Sequence, residues 1–137
     1  MSELTSEFLF AYGTLQPGLA PPEIADVVRD LVSVGKGWVP GTLYDLGSFP
    51  GAVLEPNSPR RISGTVYLLP AGAHILHMLN AYEEYYPDSS QDSQFIRRLC
   101  SVELRDGRKL ECWVYEYNGQ RDHAPIVESG AYLPDRH

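Results

Sequence analysis

A chain of 137 residues with 43% apolar and 21% charged side chains has the length and composition of one globular domain, residues 1–137. Its net charge of -7 argues against binding to nucleic acid or to an anionic membrane, since both attract basic surfaces. No stretch has the length and apolarity of a membrane helix, and the first residues lack the pattern of a secretion signal. We therefore expect a cytoplasmic protein.

Strands dominate the predicted elements. Apolar and β-branched residues predict strands at residues 7–12, 35–46, 52–54 and 62–69, the second of them interrupted at Pro40-Gly41. Residues 94–104 and 108–117 predict a hairpin, because the Asp106-Gly107 pair between them is favoured in tight turns.

Helical spacing of apolar residues appears twice, at residues 23–31 and 73–85, and the first of these ranges follows Pro21-Pro22. Because strands outnumber helices, the prediction is an α+β fold. It consists of a small, mixed, mostly antiparallel, barrel-like sheet with the two helices flanking it.

Two cysteines are too few for a disulfide framework. Cys100 and Cys112 stand almost symmetrically on either side of the Asp106-Gly107 turn, so they could lie near each other on paired strands. We expect two reduced thiols in the core.

Two adjacent glutamates in the second predicted helix point in different directions. Successive helical residues turn by about 100°, which creates one apolar face from Ile75, Leu76, Met78, Leu79 and Tyr82. Glu83 falls on this face, whereas Glu84 falls on the polar side. A carboxylate facing inward is costly unless it is paired, hydrogen-bonded or protonated, and burial raises the pKa of such a group toward the range useful in proton transfer.

Glu83 is therefore a candidate acid/base. Two structural explanations stay open: Glu83 could pair with Arg97 or Arg98, or it could reach water from a frayed last turn. His74 and His77 stand three residues apart on the same helix, near enough to share a metal. They fall near the polar face without a clear partner, so we interpret them as solvated and predict no metal site.

The first predicted strand ends abruptly in Tyr12-Gly13-Thr14-Leu15. Glycine permits close approach and unusual backbone angles, so the N–H groups of Gly13, Thr14 and Leu15 could face an anion. The plain alternative is a connection from strand to helix.

Four segments together resemble the γ-glutamylcyclotransferase-like superfamily, closest to its AIG2-like and γ-glutamylamine cyclotransferase branch. In order, these are FAYGTL (residues 10–15), VPGTLY with FPGA (39–44 and 49–52), LNAYE (79–83), and FIRR with CWVY (95–98 and 112–115). They are similar to the family's Tyr-Gly-Ser/Thr-Leu signature, its next strand and loop, its Leu-Asp-x-Phe-Glu segment, and its Tyr-x-Arg and Trp-x-Tyr strands. The likeness covers about residues 8–132.

The resemblance implies that a γ-glutamyl α-amine attacks its own γ-carbonyl, releasing 5-oxoproline and an amine without metal or other cofactor. It assigns the acid/base to Glu83 and the binding of the substrate's α-carboxylate or oxyanion to the loop Gly13-Thr14-Leu15. It also implies that Tyr12 and Tyr115 wall the pocket. For Tyr115, the plain alternative is an aromatic residue packed on one face of the sheet.

The chain departs from the family pattern at several positions, and its final segment, residues 129–132, only loosely matches the family's Gly-Asp-Trp ending. This chain has Asn80 where the family has Asp, Glu84 where it has Gly, and Phe95 where it has Tyr. The hydroxyl absent at Phe95 bears on the identity of the substrate. One alternative is a non-catalytic relative that binds a small acidic metabolite or a partner peptide in the same pocket. Another is an enzyme of the same mechanism that removes a γ-glutamyl protecting group during a biosynthesis.

Overall fold

Six β-strands are present in this computed structural model, which describes residues 7–13, 31–47, 50–69, 79–80, 93–119 and 124–131. The strands are β1 (Phe8–Ala11), β2 (Val32–Asp45), β3 (Pro50–Leu54), β4 (Arg61–Leu68), β5 (Phe95–Leu104) and β6 (Lys109–Tyr117). Each predicted strand is confirmed, with its ends shifted by a few residues.

The predicted interruption at Pro40-Gly41 is wrong, because β2 continues through both residues. This position marks a change of neighbour. β2 pairs with β4 as far as Pro40, opposite Arg61, and with β3 from Gly41, opposite Leu54. Proline and glycine therefore occur where the strand leaves one partner and joins the next.

The sheet closes on itself. Its order is β1-β4-β2-β3-β6-β5, and further pairings join β1 to β6 and β2 to β5. The contacts of β6 with β1 and with β3 are parallel, whereas the other pairings are antiparallel. The predicted mixed, mostly antiparallel, barrel-like sheet is confirmed.

Buried side chains separate onto the two faces of this sheet. An inner cluster draws on all six strands and contains Phe10, Tyr12, Val39, Leu43, Ala52, Ile62, Val66, Val102, Leu104, Cys112 and Val114. An outer cluster contains Leu9, Ala11, Leu31, Tyr67, Leu69, Leu79, Phe95 and Tyr115. Neighbouring residues of β1 and β6 alternate between the clusters, as the two-residue period of a strand requires.

The two flanking helices are not supported by the described residues. The predicted ranges 23–31 and 73–85 lie outside them, apart from Leu31, Leu79 and Asn80. Leu79 and Asn80 have helical backbone, and Leu79 is fully buried in the outer cluster. A helical segment therefore contacts the outer face at this point, and its extent stays a prediction.

The expectation that the two cysteines lie near each other is confirmed, and the expected core position holds for Cys112, whereas Cys100 is half-buried against the inner cluster. Cys100 and Cys112 are direct partners across the β5–β6 hairpin, and both are free thiols. Burial, with a smaller effect of the Glu111 carboxylate, raises the pKa of Cys100 to about 11 and that of Cys112 to about 12.

Because the thiolate is the reactive form, both cysteines should resist alkylation in the folded protein. At pH 8, iodoacetamide should modify the native protein at least about 100-fold more slowly than the protein unfolded in guanidinium chloride. Mass spectrometry of quenched time points measures both rates. Similar rates in the two states would contradict this description of Cys100 and Cys112.

Candidate active site

The tyrosine that follows β1 joins three strands. Tyr12 is 6% exposed and packs in the inner cluster. Its hydroxyl donates a hydrogen bond to the carbonyl oxygen of Tyr115 in β6 at 2.6 Å, and accepts one from the N–H of Ala52 in β3 at 3.2 Å. The end of β1 is thereby attached to both other strands.

Strand pairing explains why a side chain is needed there. β1 and β3 both pair with β6, through Leu9 opposite Trp113 and Ala52 opposite Glu116. Tyr115 lies between these two contacts. Buried backbone groups need hydrogen-bond partners, and the Tyr12 hydroxyl supplies one to each side of this junction.

Gly13 is buried next to the first residue of β3. A Cβ atom at Gly13 would lie 2.9 Å from Cγ of Pro50, which is too close for an ordinary contact. The absent side chain of Gly13 therefore makes room for Pro50 and fixes where the predicted anion-binding loop begins. Thr14 and Leu15 lie outside the described residues, so the loop's contact with an anion stays a prediction.

Tyr115 connects the sheet to the helical segment. Its ring is 3% exposed and packs in the outer cluster. Its hydroxyl donates a hydrogen bond to Oδ1 of Asn80 at 2.7 Å. Oδ1 of Asn80 also accepts a hydrogen bond from Nη1 of Arg97 at 3.2 Å.

The two partners of Asn80 determine the orientation of its amide. A guanidinium can only donate, so the amide oxygen faces Arg97. The same oxygen accepts the hydrogen bond that the Tyr115 hydroxyl donates. Asparagine thus offers the acceptor geometry that the aspartate of the family pattern would offer, without adding a charge.

Arg97 is held from two sides. It lies directly opposite Tyr115 in the hairpin, and its guanidinium carbon is 4.5 Å from the centre of the Trp113 ring. A cation over an indole face is a favourable arrangement. Nε1 of Trp113 donates a hydrogen bond to Oε1 of Glu7 at 2.8 Å. The two hydrogen bonds to Asn80, here called the Asn80 attachment, therefore come from side chains that are themselves packed and bonded.

The predicted site residues are only partly brought together. Tyr12 and Tyr115 are joined, but their rings lie on opposite faces of the sheet, and the bond runs to the Tyr115 carbonyl. Tyr115 is thus an aromatic residue on one face of the sheet, whose hydroxyl contacts the helical segment. Glu83, the predicted acid/base, lies outside the described residues, as does Glu84. A pairing of Glu83 with Arg97 or Arg98 is therefore untested, although Arg98 already forms an ion pair with Glu116.

Sequence reasoning missed the Asn80 attachment, treating Asn80 only as a departure from a pattern. A usable signal was present in the hairpin. Counting nine residues outward from Asp106 in both directions reaches Arg97 and Tyr115, which are paired in the structure. Both were known as motif residues, so their shared face could have been predicted.

A cleft of about 340 Å³ lies elsewhere on the described surface, near the hairpin turn. Its lining includes Trp38, with the guanidinium of Arg61 at 5.0 Å from the ring centre, and the paired residues Glu103 and Lys109. None of the predicted site residues lines this cleft. Among the described residues, no group of three His, Cys, Asp or Glu side chains is arranged to hold a metal. The same residues include no helix long and apolar enough to cross a membrane.

Comparison with known proteins identifies relatives of this chain. The model of the family described as γ-glutamyl cyclotransferase, AIG2-like, matches residues 9–134. Curated protein sequences gave no significant match.

Solved structures share the fold. An AIG2-like protein from Mus musculus is 20% identical, with a TM-score of 0.68 over 96% of this chain and 98% of that one. Protein YtfP from Escherichia coli is 23% identical, with a TM-score of 0.62 over 93% and 96%. A γ-glutamyl cyclotransferase is 12% identical, with a TM-score of 0.61 over 89% and 70%.

The Tyr12 hydroxyl should stabilise the fold. Tyr12→Phe leaves the Tyr115 carbonyl and the Ala52 N–H without this partner, and we expect the free energy of unfolding to fall by about 2–4 kcal/mol. Urea denaturation followed by fluorescence measures the change. The matched control is Tyr67→Phe, because the buried Tyr67 hydroxyl has no hydrogen-bond partner within the described structure. Equal stability of the two variants would show that the Tyr12 bridge contributes little.

Proposed function

This chain belongs to the γ-glutamyl cyclotransferase, AIG2-like family, and we propose that it cyclises the γ-glutamyl group of a small γ-glutamyl amine or peptide. The products are 5-oxoproline and the free amine. The substrate is a small molecule, and the proposal involves no cofactor, nucleic acid or membrane. We place the reaction in the cytoplasm.

The reaction needs one proton carrier. The neutral α-amine of the substrate attacks the γ-carbonyl carbon, and its nitrogen gives up one proton as the five-membered ring closes. The bond from that carbon to the leaving nitrogen then breaks, and the leaving amine takes up a proton. One carboxylate can accept the first proton and return it to the leaving group. We propose Glu83 for this role.

The observation that supports this proposal best is the attachment of Asn80. Leu79 and Asn80 belong to the segment that resembles the family's glutamate-bearing motif, and Glu83 follows Asn80 by three residues. Leu79 is buried in the outer cluster, and Asn80 is bound to Tyr115 and Arg97. A segment that presents a catalytic group needs such a fixed origin, because small displacements of reacting groups cost large factors in rate.

Substrate binding is assigned to the loop that starts at Gly13. We propose that the N–H groups of Gly13, Thr14 and Leu15 bind the α-carboxylate or the oxyanion. The contact of Gly13 with Pro50 and the Tyr12 bridge to β3 and β6 support a fixed starting point for this loop. In this proposal Tyr12 acts mainly by positioning the loop, and Tyr115 by positioning Asn80.

Replacing the proposed acid/base should abolish turnover without unfolding the protein. Incubation with a panel of γ-glutamyl dipeptides and γ-glutamyl amines, with detection of 5-oxoproline, should identify a substrate for the wild type. Glu83→Gln should then lower kcat at least about 100-fold. The matched control, Glu84→Gln, should retain activity because the predicted helical phase turns this side chain to the polar side.

The opposite result, an active Glu83→Gln and an inactive Glu84→Gln, would show that the helical phase is wrong. Binding of panel members without any release of 5-oxoproline would favour the non-catalytic relative.

The hydrogen bonds to Asn80 should affect kcat through the position of the acceptor oxygen and not through its charge. Asn80→Leu removes the acceptor of both hydrogen bonds, and we expect kcat to fall roughly 10- to 100-fold. Asn80→Asp keeps an oxygen in the same place and should stay within about threefold of the wild type. Steady-state kinetics on the best panel substrate measures both variants. An Asn80→Leu enzyme with wild-type kcat would contradict the positioning role.

A further inference from the structure

One buried tyrosine differs from the others in its hydrogen bonding. Tyr67 in β4 is 2% exposed, and among the described residues its hydroxyl has no hydrogen-bond partner. The hydroxyls of Tyr12 and Tyr115, in contrast, both form hydrogen bonds to other described residues. Phenylalanine would fill the same volume without burying a polar group, so the Tyr67 hydroxyl adds nothing to the packing of the sheet.

The position of Tyr67 connects it with the proposed site. It belongs to the outer cluster together with Leu79 and Tyr115. In the sheet, Leu9 stands directly opposite Tyr67 on one side and opposite Trp113 on the other. Tyr67 is therefore two strands away from the tryptophan that supports Arg97, about 10 Å at the spacing of neighbouring strands.

The state of the hydroxyl limits what it can bind. Burial raises the pKa of Tyr67 to about 12, so the group stays protonated at physiological pH. A buried phenol in this state can donate its proton to a carbonyl or carboxylate oxygen. A γ-glutamyl compound has both kinds of oxygen.

We infer that Tyr67 is a substrate-specificity residue of the proposed site, and that its hydroxyl donates a hydrogen bond to an oxygen of the γ-glutamyl group. The inference rests on the proposed function for the identity of the ligand. It assigns to Tyr67 a contact in the bound state, whereas Tyr12 and Tyr115 use their hydroxyls to hold the protein together.

Tyr67→Phe provides the test. The melting temperature of the unliganded variant should equal or exceed that of the wild type, because no hydrogen bond within the protein is lost. With the best panel substrate, KM should rise about 5- to 20-fold with little change in kcat, as expected for a contact made equally in the ground and transition states. Tyr44→Phe is the matched control, since Tyr44 belongs to neither cluster, and its KM should not change.

A measurement without turnover separates the two proposals. In protein labelled with ¹³C at the ζ carbon of tyrosine, the Tyr67 signal is the one missing from Tyr67→Phe. Adding 5-oxoproline should shift this signal. A shift with 5-oxoproline but none with 2-pyrrolidinone, which lacks the carboxylate, would assign the contact to the carboxylate. A shift with both compounds would assign it to the carbonyl.

Each other outcome is also decisive. An active wild type with unchanged KM in Tyr67→Phe and no signal shift would overturn the inference and leave the proposed function standing. A Tyr67→Phe variant of lower melting temperature and unchanged KM would show that the hydroxyl has a structural partner, which overturns it too. If the wild type cyclises nothing, the proposed function fails. A shift with 5-oxoproline would then still support the contact, and its absence would overturn it.

Discussion

The fold depends on one hydroxyl placed where three strands meet. β6 pairs with both β1 and β3. At that junction Oη of Tyr12 donates a hydrogen bond to the carbonyl of Tyr115 and accepts one from the N–H of Ala52. A hydroxyl can donate one hydrogen bond and accept others, which a backbone amide cannot do from a single atom. The end of β1, the middle of β3 and the last part of β6 are therefore fixed relative to one another. The loop that begins at Gly13 therefore starts from a fixed position, directly after Tyr12.

Tyr115 extends the same constraint across the sheet. Its carbonyl oxygen accepts a hydrogen bond from the Tyr12 hydroxyl, whereas its own hydroxyl donates one to Asn80 on the outer face. One residue thus connects the loop proposed to bind the substrate with the segment proposed to supply the acid/base. The interior of the barrel is packed with apolar side chains, and Tyr115 and Arg97 supply the two hydrogen bonds that hold Asn80 on the outer face. In the proposed mechanism, the distance between substrate and proton carrier is set by β6.

Local patterns predicted the strands well because each strand has its own apolar period, and the hairpin because Asp106-Gly107 specifies a turn. The same hairpin register placed Cys100 beside Cys112. Pro40-Gly41 misled the prediction, since proline and glycine mark a change of strand partner as readily as a break. The helices remain largely untested. The hydrogen bonds of Tyr12 span residues 40 and 103 positions apart, and no local pattern specifies which backbone groups the closing of a barrel leaves without partners. For the same reason the sequence did not specify the hydrogen-bond partners of Tyr12 and Tyr115, and it did not single out Tyr67.

A polar atom that already makes hydrogen bonds within the fold has less capacity left for a ligand than one without a partner. Tyr12 and Tyr115 match the family's signature segments, and both hydroxyls form hydrogen bonds within the protein, so each has a structural role. Their contact with a ligand stays a prediction. Tyr67 lies outside the segments that suggested the family, and its hydroxyl is buried, protonated and without a partner among the described residues. In the proposed function, the motif tyrosines therefore hold the strands and Asn80 in place. The proposed recognition of the substrate falls to backbone N–H groups and to a tyrosine that packing alone would replace with phenylalanine.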